Sequence, residues 1–461
     1  MNIDDVERIR TDTVWTATAH AVTAVIGSGV LAVPWSVAQM GWIFGPLSLF
    51  GFAVITYITA RLLCDCYRTP DPIKGQRNRT YMDAVRATLG KKEVLICAVA
   101  QYSLLWGTMV GYAITAATSM VSVKRTNCYH TGTAEAVVHC EASSGNTFLL
   151  IFGGINIVLS QIPSLEKVTF LSVIAATMSF CYSFVALYLC VAKFASHPEP
   201  RGTLTGVEIG RNGLTLTSKL WQSFQALGNI AFSYTYAQLL IEIQDTLKSH
   251  PAENITMKRA TLYSIALTTT FYISLGCMGY LAFGNQAPGN VLTAFHEPFW
   301  LVDLANIGVV IHLTAAFQVF AQPIFATYEK WLAMRWPSSS FIHNAYTINI
   351  SGIKPLSYQF TLCRLLLRPL VVVITVLTAM MFPFFNAVLG LLGSIAFFPL
   401  TVYLPVRMYM TQTTIKKGGF KWFMLQALCL VSLLVSLTSA VGSVADIVDR
   451  LSHAKLFSAN L

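Results

Sequence analysis

Residues 20–35 read HAVTAVIGSGVLAVPW, an apolar run that a Gly-Ser-Gly segment at positions 27–29 interrupts. Pro34 follows on the same run; it has no amide hydrogen, and its ring clashes with the carbonyl of Val30. A helix broken in this way exposes backbone amides and carbonyls, which a bilayer tolerates only against protein or water. The pattern therefore indicates either a close helix contact made by small residues or a binding site at the break.

The composition assigns the chain to the membrane proteins. Of its 461 residues, 54% are hydrophobic and 11% are charged, whereas a soluble domain carries roughly 25% charged residues. The formal net charge of +10 resides in the predicted loops, which argues against a nucleic-acid partner. The Cys residues do not show the spacing of a metal site, so neither a metal nor an organic cofactor is expected.

Apolar stretches of about 20 residues, the length that crosses a bilayer, recur along the whole chain. If the N-terminus is inside, most of the 31 lysines and arginines fall on the cytoplasmic side, so the positive-inside rule favours a cytoplasmic N-terminus and an extracellular C-terminus. We expect a short cytoplasmic segment (1–12), a transmembrane domain (13–447) and a short extracellular segment (448–461). The stretches predict an all-α polytopic protein with eleven spans, at residues 14–41, 42–66, 93–121, 146–163, 168–195, 220–245, 259–283, 299–327, 358–382, 384–409 and 420–447.

A second interruption, GNIAFSY at residues 228–234, lies in the sixth predicted span. Since this span comes five spans after the first, a five-plus-five inverted repeat with span 11 left over makes the two equivalent, as in the LeuT-type architecture. Paired breaks favour the binding interpretation, and helix amides at the first break suit a carboxylate. Tyr112 and Phe232 are candidate walls or lids of the site, with core packing as the alternative. The candidate substrate-binding residues are Ile26, Gly27, Ser28, Gly29, Val30, Tyr112, Asn229, Ala231, Phe232 and Ser233.

The same segments resemble a known family. Residues 20–42, residues 228–246 and the stretch from Glu297 to Pro323 are similar to the plant amino acid permeases of the amino acid/auxin permease family, in the APC superfamily. The resemblance covers nearly the whole chain, and it implies a LeuT-like fold, eleven spans and proton-coupled uptake of amino acids at the plasma membrane. The chain departs from the family pattern in ways that bear on selectivity and coupling. The departures are Asp12, Ala387 and Arg407, where the family usually has Gly, an acidic residue and Glu.

Ionisable groups inside spans are candidates for coupling and gating. His20 and His312 lie in the first and eighth predicted spans, where an imidazole could carry the proton; a buried neutral imidazole is the alternative. Glu242 and Asp245, near the cytoplasmic end of the sixth span, are predicted gate or cap residues. Asp303, near the outer end of the eighth span, is a candidate outer gate, and a solvated helix start is its alternative.

Two side-chain pairs are expected to have structural roles. Cys128 and Cys140 fall in the predicted outer loop between spans 3 and 4, where an oxidising environment permits a disulfide; two free thiols are the alternative. Arg364 and Arg368 lie one turn apart in the ninth predicted span, and we expect both to extend to the inner head groups.

These features predict a proton-coupled symporter that imports amino acids, mainly neutral and some acidic, by alternating access. The expected partners are the substrate, the co-transported proton and the bilayer, without an obligate protein partner. Two alternatives stay open: a carrier of another small carboxylate, such as auxin or 4-aminobutyrate, and a non-transporting amino acid sensor, against which the short terminal segments argue. An enzyme is not expected, because no nucleophile, metal-ligand or carboxylate constellation of a catalytic site stands out near a membrane face beside Glu242 and Asp245.

Overall fold

A computed structural model describes residues 10–131, 145–162, 165–210, 214–350 and 356–453. The chain divides into two units, each assembled from separate stretches of sequence. Unit 1 comprises the described residues of Met1–Leu104, Ser183–Ala294 and Asn386–Arg450, and unit 2 those of Leu105–Tyr182, Phe295–Phe385 and Leu451–Leu461. Helices dominate both units, which confirms the all-helical class.

The helices follow one another with short connections along most of the chain. In chain order they are α1 (Val14–Val25), a 3-10 helix (Ser28–Ala32), α2 (Val33–Asp65), α3 (Tyr81–Thr88), α4 (Lys91–Thr131), α5 (Gly145–Ser160), α6 (Leu165–Ser196), α7 (Leu216–Ser233), α8 (Ala237–Gln244), α9 (Glu253–Phe283), two 3-10 turns (Gly284–Gln286 and Val291–Ala294), α10 (Phe299–Arg335), α11 (Ser340–His343), α12 (Leu362–Met381), α13 (Phe385–Ala396), a π-helical segment (Phe397–Tyr403), α14 (Leu404–Gln412) and α15 (Phe420–His453).

Many of these helices have the length and apolar character of membrane spans. A further apolar helix, α5, has 16 residues and rises about 24 Å, short of the roughly 30 Å hydrocarbon core of a bilayer. The multi-pass membrane class is thus confirmed, while the count of eleven spans stays a prediction. Eight helical stretches of the described residues meet the length and composition of a span: Ser28–Asp65, Lys91–His130, Val173–Ser196, Glu253–Gln286, Phe299–Arg335, Leu362–Met381, Phe385–Gln412 and Phe420–Ser452.

Helical order in the first predicted span stops at Val25. Ile26 (φ −80°, ψ 88°) and Gly27 (φ −126°, ψ −150°) leave the helical region before the 3-10 helix Ser28–Ala32 runs directly into α2. Pro34 sits in the first turn of α2, where its missing amide hydrogen costs least. The segment is therefore two helices joined by two non-helical residues.

The first predicted span passes into the second at Gly41, whose φ of 78° lies in the left-handed region. A Cβ at this position would collide with backbone atoms of Leu204 and Gly206. The loop that carries those residues bonds to the turn, since Trp42 N donates to Thr203 O over 3.2 Å. Glycine is required here for its backbone conformation and for the close approach of the loop.

The sixth predicted span consists of α7 and α8, which residues 234–236 separate. α7 lies against α13 through glycines that bring the two backbones almost into contact. A Cβ on Gly228 would overlap Gly390, and a Cβ on Gly393 would overlap Gly228. Small residues allow such close helix contacts in membranes, so Gly228 has a packing role.

Two antiparallel strand pairs lie in loops of the otherwise helical chain: β1 (Arg68–Thr69) with β2 (Gln76–Arg77), and β3 (Ala345–Ile350) with β4 (Leu356–Thr361). The ninth predicted span, 358–382, begins too early, because residues 358–361 belong to β4. Helix α12 begins at Leu362, with the Thr361 hydroxyl accepting the Arg364 amide as its N-cap. Apolar content alone does not separate a strand from the start of a helix.

Arg368 is buried in unit 2, with 2% of its surface exposed, so the prediction that it extends to the head groups is wrong. Its guanidinium donates to Glu329 Oε1 (2.7 Å) and to the carbonyls of Ser160 (3.0 Å) and Ile162 (2.9 Å), at the end of α5. Arg364 donates to the other carboxylate oxygen of Glu329 (3.1 Å) and stays partly exposed. Arg368 satisfies carbonyls that a helix end leaves without donors, so its role is structural.

Candidate functional site

The break between α1 and the 3-10 helix leaves polar groups buried in unit 1. Ile26 N donates to Val22 O (2.8 Å) and closes α1, and the next helix begins with the bond from Val30 N to Gly27 O (3.3 Å). The amides of Ser28 and Gly29 precede that first bond, as the first amides of a helix do. Ser28 is 1% exposed, and its hydroxyl finds no hydrogen-bond partner among the described residues.

The break between α7 and α8 contains a second buried polar group. Asn229, one turn before the end of α7, is 1% exposed, and neither its Oδ1 nor its Nδ2 has a partner within the described ranges. Its backbone carbonyl accepts the Ser233 hydroxyl (3.0 Å), and the Ala231 carbonyl accepts the Thr235 hydroxyl (2.7 Å). These bonds satisfy backbone carbonyls at the end of α7, while the buried side-chain amide of Asn229 is left without a partner among the described residues.

The two breaks meet inside unit 1. A Cβ on Gly29 would lie 2.8 Å from Ser233 Oγ and 3.2 Å from Phe232 Cδ1, so the glycine lets the breaks touch. From α9, the buried Tyr272 hydroxyl donates to Val25 O (2.7 Å) and lies 3.4 Å from Ser233 O. The contacts therefore bring together three of the predicted substrate-binding residues: Gly29, Phe232 and Ser233.

This arrangement offers donors and acceptors side by side. The end of a helix carries partial negative charge on its carbonyls, and the start of the next carries partial positive charge on its amides. Each of the two breaks contains both kinds of end. In the first, the end of α1 precedes the start of the 3-10 helix, and in the second, the end of α7 precedes the start of α8. Such a pair of breaks can bind a small molecule that carries both signs of charge.

Asp245, a predicted gate residue, is fully buried just after α8. Its Oδ1 accepts Arg10 Nη2 (3.0 Å) and the Tyr67 hydroxyl (2.7 Å), and its backbone carbonyl accepts Arg10 Nε (3.0 Å). Burial, and then the hydrogen bond to Asp245, raises the pKa of the Tyr67 hydroxyl, which keeps it a donor. A backbone bridge between Asp12 and Leu247 runs beside these contacts. The N-terminal segment is thereby fastened to the end of α8.

Glu242 and His20 are exposed, unlike Asp245. Both line an open cavity of about 270 Å³, together with Ala24, Leu239, Ile243 and Thr246. The His20 side chain is 63% exposed, and its Nε2 lies 3.7 Å from Asp12 Oδ2. His20 lies six positions before Ile26, about 9 Å along a helix, so the structure does not bring it to the break or bury it. Its role in coupling stays a prediction.

His312 is buried in unit 2, at 4% exposure. Its Nδ1 pairs with the carbonyl of Ala175 (2.7 Å), which requires the hydrogen on Nδ1 and leaves Nε2 as an acceptor. Nε2 has no partner among the described residues. The rings of Tyr182 and Tyr112 meet the imidazole edge-on at 5.6 Å and 6.4 Å, and Tyr112 also packs on Phe320. Tyr112 therefore has a packing role in unit 2, and its contact with substrate stays a prediction.

Asp303 lies in the first turns of α10, also in unit 2. It is partly buried, and its Oδ2 accepts the Asn127 side-chain amide (2.6 Å). Cys128, next to Asn127, takes part in a disulfide, and its predicted partner Cys140 lies outside the described residues. The predicted gate role of Asp303 is not tested by these contacts.

Sequence reasoning missed two residues of the site in unit 1. Tyr272 was not singled out, although a buried tyrosine hydroxyl in an apolar helix needs a hydrogen-bond partner. Arg10 belongs to the predicted cytoplasmic segment, and nothing in the sequence indicates that it is the partner of Asp245. The signal for Tyr272 was its polar hydroxyl in the seventh predicted span, but the partner cannot be read along the chain.

The chain is similar to known transporters over almost its whole length. Residues 10–448 match the family described as transmembrane amino acid transporter protein. Amino acid permease 1 of Arabidopsis thaliana is 48% identical over 461 residues, which cover 99% of this chain and 93% of that relative.

Two solved structures share the fold at low sequence identity. MhsT in complex with L-phenylalanine superposes with a TM-score of 0.54 at 10% identity, over 93% of this chain and 98% of that one. Mhp1, a nucleobase-cation-symport-1 family transporter with bromovinylhydantoin bound, gives 0.52 at 12% identity, over 98% and 96%. These likenesses show a LeuT-like fold. The chain therefore belongs to the transmembrane amino acid transporter family, and within it to the plant amino acid permeases.

Proposed function

We propose that the protein imports amino acids and that the substrate binds where the two helix breaks of unit 1 meet. The observation that carries this proposal is the set of buried atoms without partners among the described residues: Ser28 Oγ and both amide atoms of Asn229. A buried polar group left unpaired costs about 1–3 kcal/mol, which a polar substrate would recover. The similarity to an Arabidopsis amino acid permease supports amino acids as the substrate class.

The polarity of the breaks orients the substrate in this proposal. Its carboxylate accepts from the amides around Ser28 and Gly29, at the start of a helix. Its ammonium group donates to Asn229 Oδ1 and to carbonyls freed at the breaks. Phe232 is partly exposed beside Gly29 and is a wall for the substrate side chain. Because none of these residues is charged, we expect broad selectivity for neutral amino acids, with some acidic ones.

The proposed membrane arrangement has eleven spans in a five-plus-five inverted repeat followed by α15. Gly41 divides the stretch 28–65 into the second half of span 1 and the whole of span 2. α7 and α8 together form span 6, and α5 forms span 4 although it is short. The two broken spans then occupy equivalent positions, as transporters with inverted repeats require. The N-terminus is cytoplasmic, the C-terminus extracellular, and the protein acts at the plasma membrane.

Coupling to a proton is proposed through His312, with His20 as the less favoured candidate. His312 Nε2 is a buried acceptor, and protonation there would add one positive charge to unit 2. One charge crossing a potential of about 100 mV gains about 2.3 kcal/mol, and one pH unit adds about 1.4 kcal/mol. Together they would support accumulation of roughly several hundred-fold.

Alternating access needs an inner gate, and we propose that Asp245 with Arg10 forms it. The pair joins the segment before α1 to the end of α8, so opening toward the cytoplasm requires it to separate. Glu242 and Asp303 are secondary gate candidates, on the exposed face of α8 and near the start of α10.

The substrate proposal is tested by uptake in cells that lack their own amino acid carriers. The full chain is expressed, and uptake of radiolabelled neutral, acidic and basic amino acids, auxin and 4-aminobutyrate is measured. We expect Asn229→Ala to raise KM for amino acids by roughly ten- to hundredfold, because it removes bonds to charged substrate groups. Asn344→Ala, the same change at an exposed loop position, should leave KM unchanged. No uptake despite surface expression, or unchanged KM in Asn229→Ala, would contradict the proposal.

Proton coupling is tested separately, by uptake and inward current at two pH values. His312→Gln keeps a donor for the Ala175 carbonyl but does not titrate, so concentrative uptake should become pH-independent. His343→Gln, at an exposed position, is the matched control. Full pH-dependent accumulation in His312→Gln would exclude this residue as the proton carrier.

A further inference from the structure

Tyr272 joins the two helix ends that frame the proposed substrate site. Val25 is the last residue of α1 and Ser233 the last residue of α7. The hydroxyl donates to Val25 O over 2.7 Å and lies 3.4 Å from Ser233 O. The tyrosine comes from a third helix, α9, and is fully buried.

Two helix ends that meet in a buried site need a positive partner. Each carries carbonyls without intrahelical donors and a partial charge of roughly −0.5. Transporters with broken helices commonly place a sodium ion or a proton at such carbonyls. In this protein a tyrosine hydroxyl donates to one of these carbonyls and lies near the other.

We propose that Tyr272 is a positioning residue that replaces a coordinated alkali cation between the ends of α1 and α7. This inference rests on the proposed amino acid transport at the same breaks. A hydroxyl has one hydrogen, so it bonds to the nearer carbonyl and keeps the second within reach. The fixed hydroxyl holds the two breaks in register, and substrate binding therefore needs no sodium ion at this position.

A neighbouring tyrosine provides a matched control. The ring of Tyr234 meets that of Tyr272 edge-on, with centroids 5.5 Å apart, and it is similarly buried. Its hydroxyl bonds to Thr269 on α9 (3.1 Å) instead of to a carbonyl at a helix end. Tyr234→Phe thus removes the same group from the same environment without touching the two carbonyls.

The first test compares uptake kinetics in sodium chloride and in choline chloride. Wild-type KM should be the same in both salts. Tyr272→Phe should raise KM roughly five- to fiftyfold in both salts, because the Val25 carbonyl keeps the Gly27 amide but loses the hydroxyl that ties it to α9 and to the Ser233 carbonyl. Tyr234→Phe should stay within about twofold of wild type. Sodium dependence of the wild type, or an unchanged KM in Tyr272→Phe, would overturn the inference.

The second test measures thermal stability instead of uptake. It therefore tests the role of Tyr272 even if Tyr272→Phe does not reach the membrane or the wild type shows no uptake. Tyr272→Ser opens space at the carbonyls and leaves a small hydroxyl as a ligand. The thermal midpoint of the purified full-length variant should rise in sodium chloride relative to choline chloride, and that of the wild type should not. Equal midpoints of Tyr272→Ser in the two salts would overturn the inference. Absence of wild-type uptake would count against the proposed function alone.

Discussion

Replacing Asp245 by Asn should loosen the attachment of the N-terminal segment to α8. The side chain keeps its volume, but the charge that Arg10 faces is lost. Little water reaches the pair, because the side chain of Asp245 is 0% exposed and that of Arg10 is 9% exposed. The Tyr67 hydroxyl can still donate to the Asn oxygen, so the main loss is the ionic contact with Arg10.

The size of the effect follows from the contacts. A hydrogen bond to a charged group contributes about 1.5–3 kcal/mol, and each 1.4 kcal/mol changes an equilibrium about tenfold. The backbone bonds beside the pair, from Asp12 N to Thr246 O (3.2 Å) and from Lys248 N to Asp12 O (3.1 Å), break when the segment detaches. We therefore expect the amides of Asp12 and Lys248 to exchange with solvent roughly ten- to hundredfold faster in Asp245→Asn.

Hydrogen–deuterium exchange with mass spectrometry on the purified protein measures this change directly. The control is Asp83→Asn, which alters an ion pair with Arg86 on the surface, where such pairs contribute little. It should leave the exchange of both amides unchanged. Equal exchange rates in Asp245→Asn and wild type would show that the Arg10 contact does not hold the segment in place, and would refute Asp245 as the inner gate.

Two further substitutions test packing. Gly29→Ala should abolish or severely reduce uptake, because the added Cβ would press on Ser233 Oγ at 2.8 Å. Gly51→Ala should transport normally, because its Cβ would meet no atom within 4 Å beyond its chain neighbours and the backbone of its own helix. Equal activity of the two variants would contradict the close approach of the breaks. Arg368→Leu should destabilise the protein by about 3–5 kcal/mol, since Glu329 and two carbonyls lose a buried partner, and should lower its thermal midpoint in detergent far more than Arg364→Leu does. Similar midpoints for the two arginine variants would instead support the head-group interpretation of both.

Features that act over a few residues could be predicted from the sequence. The apolar stretches indicate membrane helices because about 20 such residues satisfy both length and backbone bonding in lipid. The structure has non-helical residues at Ile26, Gly27 and positions 234–236, next to the Gly and polar residues that predict the two interruptions. The turn at Gly41 falls at the boundary between the first two predicted spans.

Predictions about the surroundings of single side chains were less successful. His20 and Arg368 were both placed by the depth of their position in a span, yet His20 is exposed and Arg368 is buried. The depth of a residue in the membrane follows from its position along the span. Its burial depends on whether another helix packs against the side of the span on which it lies. The early start predicted for α12 has a related cause, because the pairing of β4 with β3 competes with helix formation at residues 358–361.

The sequence by itself determined the all-helical membrane class, the membership of the family and the two interruptions as candidate binding elements. These depend on composition and on local backbone chemistry, which neighbouring residues control. Only the tertiary structure decided that the interruptions touch at Gly29 and that Tyr272 bonds to the end of α1, 247 positions away. It likewise paired Asp245 with Arg10 across 235 positions. Such pairs form through helix packing, which depends on many contacts between residues far apart in sequence. A pattern of neighbouring residues therefore does not predict them.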